Sequence, residues 1–446
     1  MLRMLLALAV LGLAVCAQAF PPPAHGWAKT VGGRGGAIVR VTNLNASGPG
    51  SFRAAVEQKG PRIVVFEVGG VIDLNLTTLT IREPFLTIAG QTAPSPGITI
   101  IRGGIDIATN DVIMQHIRVR SGLSGQAKRS GWEADSVSAV AGRNIIVDHC
   151  SLMWALDENL SASGPRFTGQ TVADWRRGTS HNVTFSYNII AEGLADGSHP
   201  KGEHSKGSLI HDNATGILIY RNLYAHNYER NPMLKGGVHA AVVNNLIFNP
   251  GAQAIHYNLM DLEWGERPHQ AGQLSAVGNV LRAGFSTRAD LVFMSIGGVG
   301  DLRYNGRDNV AVDRLGKPLP TFGRYTTSAA RIVPLKVPVV WPQGLPVLKS
   351  SEVETHVLRF AGARPWDRDP HDLRVTFDVA EGRGEIIDDE REVGGFGTVQ
   401  ATAAPFVEAD WDLDTIQPRS GRYPGQREGF QEPTTARGLQ MQGARP

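Results

Sequence analysis

The sequence predicts an all-β fold, a right-handed parallel β-helix with loops forming a cleft on one side face and an irregular C-terminal wrap and tail. Three observations carry this expectation. One segment type recurs: "NDVIMQHIRVRSG" from Asn110, "NIIVDHCSLMW" from Asn144, "NVTFSYNIIAEG" from Asn182, "GILIYRNLYAHN" from Gly216 and "AAVVNNLIFNP" from Ala240. Each holds a short β-branched apolar run, a polar pair and a second apolar run, alternating with period two rather than 3.6, which argues strands and not helical repeats. Hairpin turns of the Asn-Gly type, which a sandwich or barrel of neighbouring antiparallel strands needs, are scarce.

The steps between coils follow from aligning the runs. Val112, Ile145, Val183, Ile217 and Ala240 stand 33, 38, 34 and 23 residues apart, and upstream Ile63, Leu86 and Val112 are separated by 23 and 26. A minimum step with variable insertions is the mark of a solenoid, in which each coil buries its inward side chains on the next and insertions leave as loops. Asn188, Asn222 and Asn245 share one aligned position, where stacked asparagines hydrogen-bond along the solenoid axis.

The ends read differently. "MLRMLLALAVLGLAVCAQAF" has one Arg, an apolar run and a small-x-small site at Ala17-Gln18-Ala19, so residues 1–19 are expected to be a secretory signal peptide. No later segment has the ~20 apolar residues a membrane span needs, so the mature protein is expected to be secreted, with no membrane association. Cleavage leaves Cys150 alone, without an intrachain disulfide; within its apolar run it reads as a small buried side chain. Residues 20–350 are assigned to the β-helix with its loops, the Pro-rich stretch 313–350 running along the solenoid as a wrap. Residues 351–404 form a C-terminal segment packed on it, and 405–446 a loosely ordered tail. Asp410, Asp412 and Asp414 alternate there but lack the glycine and final glutamate of an EF-hand loop.

The formal net charge is +2 over 446 residues, so nothing global attracts nucleic acid. An anionic partner needs a local cluster, and four polar features lie at similar phases of successive coils. These are Glu133 and Asp135 in "WEADSVSA", Asp157 and Glu158 in "WALDENLS", Lys201, His204 and Lys206 in "HPKGEHSKGSLI", and Arg230 and Lys235 in "YERNPMLKGG". Stacked on one face, they put acids toward the N-terminal coils and cations toward the C-terminal ones. Converging carboxylates without thiolates or a histidine cluster suit a hard, oxygen-loving cation, above all Ca²⁺. An acid-lined calcium site beside cations receives a polyanion bearing carboxylates, such as a uronate polysaccharide. Asp148 differs: inside an apolar run, it is expected to make internal hydrogen bonds.

The chain resembles the secreted pectate lyases of the first polysaccharide lyase family. The matching motifs are "TVGGRGGAIVRVTNLNASGPGSFRAAV", "FEVGGVIDL", "IAGQTAPSPGITI", "NIIVDHCSLMWALDENLS", "HNYERNP" and "VVNNLIFN", over roughly residues 26 to 260, with "EIIDDEREVGG" resembling the tail of a bacterial branch. The resemblance implies calcium-dependent β-elimination of polygalacturonate by a monomer. By position it implies metal ligands at Asp135, Glu133, Asp157 and Glu158, and a lysine on the substrate carboxylate at Lys206. Arg230 falls on the arginine assigned as base, and Lys235 where the family commonly has a second substrate-binding arginine. His204 and Lys201 join the substrate-binding set. Ser161 stands where the family often has a further aspartate, and an insertion follows from about Gly164 to Ser180, which implies metal binding that is weak or needs substrate. Two other readings stand beside the lyase: a β-helix hydrolase using paired carboxylates, and an inactive pectin-binding or adhesin-like β-helix.

Overall fold

The computed structural model describes residues 25–204 and 206–426; the expected signal peptide and residues 427–446 lie outside the described residues. Eleven parallel strands build one sheet, from Ala37–Val41 to Ile332–Pro334. A second, larger sheet takes two further strands from most coils, such as Ser151–Met153 and Glu158–Ser163. Three strands per coil make a parallel solenoid whose inward residues form one long core, including Val112, Ile145, Val183, Ile217 and Ala240.

The register explains why the pattern was readable. Val112 pairs with Ile145, Ile145 with Val183, Val183 with Ile217 and Ile217 with Ala240, as the alignment of runs expects. Upstream the alignment is one residue off: Leu86 pairs with Arg62, not Ile63. The run "RIVVF" is buried throughout, so alternation gives no register there. The Arg62 guanidinium is satisfied by the carbonyls of Gly60, Pro84 and Glu83 at 3.0–3.2 Å and of Val56 at 2.5 Å.

The asparagine ladder runs further than expected. Nδ2 donates to the next Oδ1 at 3.0 Å from Asn188 to Asn222, Asn245, Asn279 and Asn309. Coils therefore continue through Gly272–Val277, Leu302–Arg307 and Ile332–Pro334, and part of the stretch expected to be a wrap supplies strands. In Leu302–Arg307 the outward Arg303 and Arg307 are exposed, which masks the strand pattern. Cys150 is a free buried thiol pushed up to about 12, chiefly by burial. Asp148 is buried and accepts from Gln115 at 3.1 Å, Ser186 at 2.6 Å and His149 at 2.7 Å.

Helices interrupt the all-β plan: α1 (Phe52–Val56), α2 (Val172–Gly178, in the insertion), α3 (Asp261–Trp264), α4 (Ser350–Phe360) and α5 (Pro370–Glu381). Val353 and Val357 of α4 and Val375 and Val379 of α5 pack on Ile189, Leu223 and Leu246 outside the solenoid. Asp369 caps α5 through the Asp372 amide, Pro370 opens it, and Gly382 closes it at φ 69°. The tail expected to be loose is tied down as far as it is described. Phe406, Trp411, Ile416 and Tyr423 bury against Ile63, Val65 and Ala89, because the outward face of this sheet is itself apolar.

Candidate active site

Parallel stacking brings the polar features of successive coils into one row. Glu158 pairs with Lys206 across neighbouring strands, and Lys206 bridges in turn to Glu229. Asp135 lies one coil before Glu158 and accepts its amide at 2.9 Å. Arg230 follows Glu229 at φ 63°, a left-handed conformation costly for a side chain with a Cβ and held only where the surroundings over-determine it.

Carboxylate oxygens of Asp135, Asp157 and Glu158 converge within 4.8 Å of one another. Burial first, and then the charge of Asp157, pushes the Asp135 carboxyl well above the usual carboxylate range. Asp157 goes the other way. Burial opposes its ionisation, but the His204 hydrogen bond at 2.6 Å and the charges of His204 and Arg230 hold it low. Arg230 ion-pairs with Glu158 and lies 3.8 Å from Asp157. Its guanidinium is pulled below its ordinary value by burial, against the opposing charges of Asp157 and Asp135. The all-oxygen donor set, with one carboxyl raised by its neighbour, fits a hard divalent cation.

Ser161, where a further aspartate was expected from the resemblance, donates to Asp135 Oδ2 at 2.9 Å and shares a 2.7 Å hydrogen bond with Ser138. A hydroxyl here orients Asp135 instead of adding a charge. Glu133 does not join the other three acids; its exposed carboxylate lies 3.2 Å from His199 Nε2. Lys201 is also outside the cluster: it is exposed, and its amide donates to His199 Nδ1 at 3.1 Å.

The two lysines are buried in pairs. Lys206 is held by Glu229, whose carboxyl sits below its usual range because the Lys206 charge outweighs burial. Lys235 pairs with Glu263 of α3 and lies 3.4 Å from Asp212. Arg166, from the insertion, joins the same group at 2.9 Å from Asp212 and 3.0 Å from Glu263. Sequence reasoning missed Glu229, Asp212, Glu263, Arg166 and His199. Glu229 had a signal, since it precedes Arg230 in "YERNP"; Asp212 and Glu263 lie outside the polar segments and are recruited only by stacking. Against the expectation of acids without a histidine cluster, His199 stacks on His204 with ring centroids 3.7 Å apart, and their ring nitrogens converge with an Asp157 oxygen within 4.8 Å.

No family model matches the chain. The chain is 31% identical over 411 residues to "Probable pectate lyase C" of Aspergillus oryzae, covering 91% of this chain and 88% of that protein. It is 32% identical over 400 residues to the protein of the same name in Aspergillus terreus, covering 88% and 85%. Among solved structures, jun a 1, the major allergen from cedar pollen, superposes with a TM-score of 0.52 at 16% identity, over 76% of this chain and 92% of that one. A pectate lyase bound to hexasaccharide gives 0.51 at 14% identity, over 79% and 99%. These two likenesses speak to the fold alone. The identity to the fungal proteins, sustained over almost their whole length, shows that the chain belongs to the pectate lyase family.

Proposed function

We propose that the protein is a secreted, calcium-dependent pectate lyase, cleaving α-1,4-linked polygalacturonate by β-elimination to 4,5-unsaturated oligogalacturonates. The observation that carries this reading is the row in which Asp135, Asp157 and Glu158 stand beside Arg230 and Lys206 on successive coils. Asp135, Asp157 and Glu158 would hold the calcium, which supplies charge that neutralises a uronate carboxylate and acidifies the neighbouring C5 proton.

The chain's own residues supply the rest. Lys206 and Lys235 orient substrate carboxylates, and Arg230 in its neutral form accepts the C5 proton. The electron pair left at C5 forms the C4–C5 double bond as the C4–oxygen bond breaks, and the departing oxygen takes a proton from water. A free guanidinium is a poor base; burial, which lowers Arg230, moves it in the direction the role needs. Once Asp157, Asp135 and Glu158 face a metal, they support the protonated guanidinium less.

Product chemistry tests the reading. The purified protein on polygalacturonate should generate an ultraviolet-absorbing unsaturated uronate. New reducing ends without that absorbance would indicate hydrolysis, and binding without either product would indicate an inactive β-helix.

A further inference from the structure

Arg230, Lys206 and Lys235, the cations given roles in the proposed reaction, are each already paired with a carboxylate of this chain. Arg230 pairs with Glu158, Lys206 with Glu229, and Lys235 with Glu263 near Asp212. Arg230 and Glu158 belong to the cation site, where a metal has reason to separate them. Glu229 and Glu263 do not. Neither belongs to the converging carboxylates, and each is partly exposed, with about a quarter of its side chain reaching solvent at 25% and 28%. Lys206 and Lys235 are almost completely buried at 4% and 7%, so in each pair the glutamate is the member more open to an arriving ligand. The Lys206–Glu229 bridge fixes the first pair in register between adjacent coils. The second is reinforced by Arg166 from the insertion, 3.0 Å from Glu263.

A free uronate carboxylate approaching either lysine meets a like charge already seated there. It must displace that glutamate or share the ammonium with it, and both cost free energy. A methyl-esterified uronate has no such conflict and still accepts a hydrogen bond through its ester carbonyl. Resting on the lyase reading above, we propose that Glu229 and Glu263 are specificity-determining residues that favour partially methyl-esterified polygalacturonate over the fully de-esterified polymer. They supply the repulsive half of discrimination; the lysines supply the attractive half.

The test is steady-state kinetics at saturating calcium on polygalacturonate and on a partially methyl-esterified pectin, for the wild type, Glu229→Gln and Glu263→Gln. Glutamine keeps the size and a hydrogen-bond acceptor but removes the charge. Each variant should raise the ratio of kcat/KM on polygalacturonate to that on esterified pectin by about five-fold, through a lower KM on polygalacturonate, the scale expected of a partly exposed charge pair. A purely structural role would lower activity on both polymers and leave the ratio unchanged, and that result, or a higher KM on polygalacturonate, overturns the proposal. Glu263→Gln, on a short peripheral helix, guards against a folding defect in Glu229→Gln. If the wild type forms unsaturated product from neither polymer, the lyase reading fails. Equilibrium titration of the same two polymers then decides the inference alone: tighter polygalacturonate binding by the variants supports it, and unchanged or weaker binding refutes it.

Discussion

Glu192 and Asp135 are carboxylates two coils apart on the same solenoid, and they live in opposite circumstances. Glu192 is buried, but Arg374 of α5 reaches it with two hydrogen bonds of 2.6 and 2.7 Å and the Trp154 ring nitrogen donates at 2.9 Å. Burial alone would raise its carboxyl, yet Arg374 holds it below the usual range. Asp135 stands beside a second carboxylate and is raised, first by burial and then by Asp157. Glu192 is satisfied from within and serves the fold. Asp135 keeps its raised carboxyl although Ser161 and the Glu158 amide donate to it, which fits the metal-holding role proposed above.

The largest expected effect follows from this contrast. Asp135→Asn should eliminate product formation while leaving the melting temperature of the calcium-free protein at neutral pH unchanged or raised. A carboxyl whose folded value is raised contributes stability below its unfolded value and loses it as pH rises through the folded one, so at neutral pH the ionised form is a liability. A variant that unfolds would make Asp135 a structural residue and dissolve the comparison.

Arg230→Lys sharpens the cleft side. An ammonium keeps the charge but lacks the planar fork and the fixed geometry of the guanidinium. Substrate affinity should stay within a few-fold while turnover falls about a hundredfold or more, the share typical of a positioned proton-transfer group. Near wild-type turnover would reduce Arg230 to a counter-ion.

On the other side, Glu192→Gln should destabilise by about 1.5–3 kcal/mol at neutral pH, because it removes charge-assisted hydrogen bonds from Arg374, which keeps only Asp378 at 3.4 Å as an acidic partner. Its pH dependence has the opposite sign to that of Asp135. A lowered carboxyl contributes stability above the ordinary glutamate range and loses it as pH falls through the folded value. Acid denaturation followed by circular dichroism should show this loss in the wild type and not in the variant. Equal acid sensitivity would mean that the Arg374 pair does not anchor α5.

What was legible in the sequence follows the same division. Central coils were readable because their strands alternate and Asn188, Asn222 and Asn245 mark one turn position. Asn279 and Asn309 continue the ladder, but polar neighbours such as Arg303 and Arg307 hide the strands around them. The helices α4 and α5 were missed although Asp369, Pro370 and Gly382 carry start and stop signals; their apolar faces are only two or three side chains wide. In the cleft, Asp135, Asp157, Glu158, Lys206 and Arg230 could be placed by their phase within a coil. Glu229 and Glu263 could not be given a role, because pairing with Lys206 and Lys235 depends on which coil stacks on which.

The central claim is that the converging carboxylates of Asp135, Asp157 and Glu158 hold calcium. Its most direct test is the rate of ultraviolet-absorbing product formation from polygalacturonate after exhaustive chelation and add-back. Activity should disappear with the chelator and return with calcium but not with magnesium, which demands a tighter octahedron and keeps its waters. Full activity in excess chelator would contradict the account.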